Sequence, residues 1–391
     1  MSRRLPGWLG ASFAVLAAGA CSMAGPEVPP APAPVDVSAP VAGETPSAWP
    51  EDWTLPEVPE AGPTDPILAS PMARHPELQE ETGQWIERYA VRESDWFAAY
   101  LSRMSRYSPM VDSVLESMDA PSSLRYLPIV ESGYSPWAVS HVSAAGMWQF
   151  MAPVARSFGM QVDRIVDERL DPVRATPAAI EYLVALEQRF GSWFLALAAY
   201  NGGPTRVSRL IRRHAPLSPL SDSLFLVIRP HLPRETREFI PKFLAAAALA
   251  QAPERYGVVS DPPEPVLAFD EVTVPDATTL DVIAQAAGVT EDEIRDLNPQ
   301  LVRGVTPRGR ATSLRIPPGL AASFDEAYAL IPPHERVTVT EHVVRAGETM
   351  WEIARRYGVR PGELEEANPR VRPERLQIGT VLLVPLVPRG S

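Results

Sequence analysis

The chain has 391 residues, a formal net charge of −12 and 44 prolines. That length exceeds one ordinary domain, the proline share calls for extended linkers, and the apolar fraction still demands at least one buried core. With no basic patch or stripe, the acidic balance speaks against a nucleic-acid partner.

In chain order, Arg3 and Arg4 precede an apolar run from Trp8 to Ala20. It is short for a bilayer span and suited to a signal peptide. The only cysteine, Cys21, follows Ala18-Gly19-Ala20, which resembles a bacterial lipobox with Ala18 in place of the usual leucine. A lipoprotein signal over residues 1–21 is therefore expected, with Cys21 lipidated and Ser22 consistent with outer-membrane sorting. An ordinary secretory signal, leaving the protein soluble in the periplasm, is the alternative. Residues 22–70 are rich in Pro and Ala, as in Pro29-Pro30-Ala31-Pro32, and read as a disordered tether.

Packed structure is expected from residue 71 to 258. Leu78 to Met104 sets Trp85, Ile86, Tyr89, Trp96, Phe97 and Tyr100 at helical spacing, and Tyr107 to Met118 forms a second apolar segment. Thr176-Pro177 reads as an N-cap and first helical residue, with Gly191 as the stop. Phe194–Ala199 and Phe239–Ala252 continue the helical pattern, and no strand alternation interrupts it, so the block is predicted to be all-α. After Pro262-Pro263-Glu264-Pro265 comes an internal repeat. Val274, Thr279, Ile283, Ala284, Gly288, Val289, Asn298 and Pro299 recur 70 residues later as Val344, Thr349, Ile353, Ala354, Gly358, Val359, Asn368 and Pro369. Each copy ends in an apolar strand, so two small α+β (βααβ) modules are predicted, over 266–320 and 338–386.

Three polar interruptions of apolar runs carry the chemistry. Glu131 follows Leu127-Pro128-Ile129-Val130, and burial there would raise its pKa and suit it to general acid work. Gly146-Met147-Trp148-Gln149-Phe150 and Ala199-Tyr200-Asn201 follow downstream. No second carboxylate sits in these segments, and Asp163, Asp167, Glu168 and Asp171 read as a solvated or ion-paired loop beside Arg164 and Arg169. The six histidines show no paired spacing and no CxxC or HExxH pattern occurs, so neither a metal nor a cofactor is implied.

Glu131-Ser132, Ser140, Gly146-Met147-Trp148-Gln149-Phe150-Met151-Ala152-Pro153 and Ala199-Tyr200-Asn201 stand in the order and spacing of the lytic murein transglycosylases, which the chain resembles. Asp167-Glu168-Arg169-Leu170-Asp171-Pro172 and Leu232-Pro233-Arg234-Glu235-Thr236-Arg237 fit the same pattern. The second repeat, His342 to Ala354, closely resembles LysM, a family that binds N-acetylglucosamine chains. The first has Ala277 for Gly347 and Asp281 for Trp351, which puts its sugar binding in doubt. Together these features resemble the membrane-bound D type.

The resemblance implies a lysozyme-like helical fold and non-hydrolytic cleavage of peptidoglycan glycan strands to 1,6-anhydro-muramoyl ends, with Glu131 catalytic. It implies substrate contacts for Ser132, Ser140, Met147, Gln149, Tyr182, Tyr200, Asn201 and Glu235. On position alone Tyr182 is equally a core residue, and Glu235 equally an ion-pair partner of Arg234 or Arg237. The alternatives are a goose-type lysozyme hydrolase on the same fold and a non-catalytic wall-binding protein. The expected location is the cell envelope, on an outer-membrane lipid anchor facing the periplasm.

Overall fold

The computed structural model describes residues 65–368 and 371–385. The signal segment, Cys21 and the tether up to residue 64 lie outside the described residues, as do 369–370 and 386–391. No helix of the described residues is long and apolar enough to cross a membrane.

The described residues are packed from Asp65 onward, ahead of the expected start at residue 71. Ile67 and Leu68 are buried, and the Asp65 carboxylate accepts from the backbone N–H groups of Ile67 (3.0 Å), Leu68 (3.0 Å) and Ser123 (2.7 Å). The end of the proline-rich stretch is thereby fixed to the body that follows.

That body is all-α, as the missing strand alternation predicts. Its helices are α1 (Pro76–Glu87), α2 (Ser94–Ser117), α3 (Leu127–Ser132), α4 (Ala152–Ser157), α5 (Pro172–Phe190), α6 (Trp193–Gly202), α7 (Pro204–His214), α8 (Ser223–Ile228) and α9 (Arg234–Gln251). Phe194 to Ala199 of α6 are apolar all round and fully buried, the pattern of a helix enclosed on every side. Helices α5, α7, α8 and α9 pack around it, α1 lies along α9, and α3 is lodged between α2 and α9.

Two helix boundaries differ from expectation. A π-helical turn, Arg88–Arg92, separates α1 from α2, while α2 runs through Pro109 and absorbs the segment expected to stand apart. Helix α5 starts one turn before Thr176-Pro177. Asp171 caps it, accepting from the N–H groups of Val173 (3.0 Å) and Arg174 (3.4 Å), with Pro172 as first helical residue. Asp171-Pro172 and Thr176-Pro177 carry the same local signal. Thr176 instead donates to the Pro172 carbonyl at 2.7 Å and accepts from the Trp148 indole at 2.9 Å.

After α9 the chain runs beside α2, where Ser102 Oγ donates to the Pro262 carbonyl at 2.6 Å and Leu267 N–H to Arg106 O at 2.9 Å. The first repeat follows as β1 (Asp270–Val274), α10 (Leu280–Ala287), α11 (Glu291–Leu297) and β2 (Thr312–Ile316). A further helix, α12 (Ala321–Ala329), packs on α10 and β1, so this unit reaches past the expected end at 320. The second repeat is β3 (Val339–Val343), α13 (Met350–Tyr357), α14 (Pro361–Glu366) and β4 (Val381–Pro385). Each pair of strands is antiparallel, so the predicted βααβ order holds in both.

The repeated residues do the same work twice. Asn298 Nδ2 donates to the carbonyls of Ile294 and Arg315, and its Oδ1 accepts from Arg315 N–H, between 2.6 and 2.9 Å. Asn368 makes the matching bonds to Leu364 and Leu383, at 2.7 to 2.9 Å. Gly288 and Gly358 end α10 and α13 in the left-handed region, at φ 70° and 74°.

Candidate functional site

Glu131 lies on the last turn of α3, and the residues after it explain why the helix stops there. Gly133 and Tyr134 are both left-handed, at φ 59° and 62°. A Cβ on Gly133 would lie 2.4 Å from the Tyr100 ring. Tyr134 tolerates its unfavourable backbone because its ring is buried beside Tyr107 and its hydroxyl donates to Arg125 O at 2.5 Å.

The Glu131 side chain is half-buried. Burial raises its pKa from 4.5 to about 8; the Glu235 charge adds to the rise and Lys242 opposes it. The group therefore holds its proton at neutral pH. Glu235 stands exposed on the first turn of α9, and Lys242 two turns further along. The Lys242 ammonium sits 4.4 Å from the Trp85 ring centroid and 3.9 Å from Glu238, and burial lowers its pKa.

The second segment forms a tight loop against α3. Gly146 (φ 81°) and Gln149 (φ 50°) are both left-handed. Ser132 Oγ donates to the Met147 carbonyl at 2.8 Å, tying α3 to the loop. Gln149 Nε2 donates to the carbonyls of Gly146 (2.8 Å) and Ala138 (3.2 Å), leaving Oε1 as its free acceptor. Met147 is fully buried, so in this conformation its side chain meets protein and not ligand. Trp148 and Phe150 are also core residues. Ser140 closes the turn leading into the loop, its Oγ accepting from Ala144 N–H at 3.0 Å.

The third segment ends α6. Tyr200 OH donates to the Trp148 carbonyl at 2.7 Å, and its pKa is raised by burial and then by the Glu131 charge. The neighbouring Asn201 accepts from Thr236 of α9 at 2.8 Å through Oδ1, so Nδ2 remains as a donor. Tyr182 stands 5.5 Å from the Tyr200 ring and 6.5 Å from Phe150, half-buried, with burial raising its pKa to about 12.

The structure thus brings Glu131, Tyr200 and Glu235 into electrostatic contact and joins the loop of Met147–Gln149 to both α3 and α6. Ser132, Ser140 and Gln149 already spend hydrogen bonds on the protein. One sequence expectation is corrected in part: Glu235 is a second carboxylate near Glu131, delivered by a distant helix. The acidic stretch 163–171, read as solvated or ion-paired, is both: Asp163 is exposed, Asp167 and Glu168 pair with Arg169 and Arg174, and Asp171 is buried against Arg315. Lys242, Trp85 and Thr236 escaped the sequence reading. Lys242 had one available signal, being the only lysine in the chain. Among the described residues no group of three or more metal-ligating side chains occurs.

The transglycosylase SLT domain family matches residues 114–218, the LysM-like domain of lytic transglycosylase MltD matches 268–333, and the LysM domain matches 342–385. The membrane-bound lytic murein transglycosylase D of Escherichia coli strain K12 is 29% identical over 297 residues, covering 72% of this chain and 64% of that protein. The chain therefore spans less than two thirds of this relative's length. Among solved structures, an inactive mutant of lytic transglycosylase Slt from Pseudomonas aeruginosa aligns at TM-score 0.31 and 22% identity, over 40% of this chain and 25% of that one. The 70 kDa soluble lytic transglycosylase of Escherichia coli aligns at TM-score 0.32 and 19% identity, over 46% and 36%. From its helical body to its last strand the chain is similar, in order, to the transglycosylase SLT domain, the LysM-like domain of lytic transglycosylase MltD and the LysM domain.

Proposed function

We propose that the protein is a peptidoglycan lytic transglycosylase that cleaves the bond between N-acetylmuramic acid and N-acetylglucosamine without water. The observation that carries this reading is Glu131, a carboxyl that burial keeps protonated to about pH 8 inside an SLT domain. Glu131 gives its proton to the glycosidic oxygen as the C1–O bond breaks. The C6 hydroxyl of the same muramoyl residue attacks C1, and the carboxylate takes the C6 proton, which regenerates the acid. Intramolecular attack has a high effective molarity, so no second carboxylate is needed. The nearby Lys242 limits the cost of the carboxylate left between the two steps. In this reading Tyr200, Asn201 Nδ2 and Gln149 Oε1 orient the sugar, the last two being polar atoms that the protein's own hydrogen bonds leave over.

The second module holds the enzyme on the glycan. Trp351 is 56% exposed there, and Ala346-Gly347-Glu348 borders a hollow of ≈ 370 Å³. A lipidated Cys21 and the tether place the enzyme in the cell envelope. Glu235 favours one rival, a hydrolase in which that carboxylate activates water. Digestion of purified sacculi in heavy-oxygen water, read by mass spectrometry, separates the two. Anhydro ends without label support the lyase; labelled reducing ends support the hydrolase.

A further inference from the structure

We propose that Arg169 is a positioning residue for the loop carrying Gln149, and that the first repeat module keeps Arg169 in place. The inference rests on the glycan cleavage proposed above.

The loop from Ser143 to Phe150 holds three residues in the left-handed region, Ser143 (φ 64°), Gly146 (φ 81°) and Gln149 (φ 50°). Two of them carry side chains, and such backbone persists only where the surroundings dictate it. Arg169 supplies that constraint. One guanidinium nitrogen, Nη1, donates to Ser143 O at 2.7 Å and to Phe150 O at 3.0 Å, clasping the two ends of the loop. The other face of the guanidinium pairs with Asp167, Nε at 2.9 Å and Nη2 at 2.7 Å. The Arg169 carbonyl presses on the same loop, because a Cβ on Gly146 would lie 1.7 Å from it. Gln149 and the carbonyls bonded by Ser132 and Tyr200 all lie within this clasp.

The strap that bears Arg169 is held from behind by the first module. Val166 is buried in that module's core, with Ile165 packed against it. Asp167 N–H donates to Gln300 O at 2.9 Å, and Val302 N–H donates to Ile165 O at 3.1 Å. At the end of the strap, Asp171 receives Arg315 in a buried two-pronged pair, both contacts at 2.9 Å. The module thus grips the strap at both ends, beside a further ion pair between Asp296 and Arg106 of α2. Its role is to hold the site's shape.

The test compares the full chain with Arg169→Gln, Arg169→Lys and Arg315→Gln, using soluble glycan strands at a temperature well below each melting point. A misplacement on the order of 1 Å costs about a hundredfold in rate, so Arg169→Gln should lower kcat about a hundredfold. KM should stay within about twofold, because the clasp shapes the loop without touching sugar. Arg169→Lys restores charge but not the fork and should recover activity only in part. Arg315→Gln, altered only on the module's side, should lower kcat about tenfold. Folded variants with unchanged kcat and merely lower melting points would overturn the proposal. Should Arg169→Gln fail to fold, Arg169→Lys and Arg315→Gln decide. An inert wild-type chain would instead refute the proposed cleavage.

Discussion

The two repeats share a fold and differ in what they touch. In both, a threonine precedes the first helix, a left-handed glycine ends it, and a buried asparagine ties the second helix to the last strand. The divergence lies at the positions that do not repeat. Where the first has Arg315 reaching Asp171, the second has Leu383. Where the second exposes Trp351, the first has Asp281, which accepts from Thr338 of the connecting segment at 2.8 Å. Repeated residues encode the module; unrepeated ones encode its partner. The first repeat is fastened to the helical body, and the second turns its aromatic residue to solvent.

The asparagines offer the largest break in that comparison. Each satisfies three backbone groups, and a buried group left unpaired costs about 1–3 kcal/mol. Asn368→Ala should melt the second module alone and leave turnover of soluble glycan unchanged. Asn298→Ala should lower turnover as well, because it loosens Arg315. Calorimetry with a turnover assay checks both, and equal turnover in the two variants would erase the distinction.

A smaller effect is expected at the surface. Trp351→Ala should weaken retention on insoluble peptidoglycan roughly tenfold, about 1.4 kcal/mol. Asp281→Ala should change it by less than about twofold. Sedimentation of each variant with sacculi reads this directly; equal losses would mean both modules bind.

Titration sharpens the contrast within the helical body. Glu131 has a pKa near 8 folded against 4.5 for an ordinary glutamate, so the unfolded chain ionises first as pH rises. The wild type should therefore lose stability relative to Glu131→Gln between pH 4.5 and about 8, with the gap full above that range. A pH-independent difference in melting temperature would contradict the buried, protonated acid.

The smallest expected effect is in the second module. There the Glu348 carboxyl is held down to about 2 by the Arg345 N–H and then by His342, which it meets at 2.7 Å. Because its folded pKa is depressed, its contribution is present above 4.5 and disappears as pH falls towards 2. Glu348→Gln should remove that slope from acid melting curves of the second module.

Much of this was legible in the sequence, for physical reasons. Helical spacing and the missing strand alternation identify the helical body, and the 70-residue repeat identifies both modules, because these are local patterns. The start of α5 was misplaced because Asp171-Pro172 and Thr176-Pro177 are equivalent locally. Asp171 is the cap that forms, and Arg315, far away in sequence, holds the same carboxylate in place. For the site, the apolar run before Glu131 forecast its raised pKa. Lys242, Thr236 and Arg169 act through contacts between distant segments, which no spacing reveals. The resemblance implies a substrate contact for Met147, yet its side chain is buried and it is its carbonyl, bonded by Ser132, that meets the site helix.

The pH dependence of turnover by the wild type, set beside Glu131→Gln on the same soluble glycan, tests the central claim most directly. A protonated Glu131 acting as general acid predicts a kcat that falls as pH rises through about 8 and a loss of at least about a thousandfold in the variant. An activity limb near pH 4.5 in the wild type, or comparable turnover by Glu131→Gln, would contradict it.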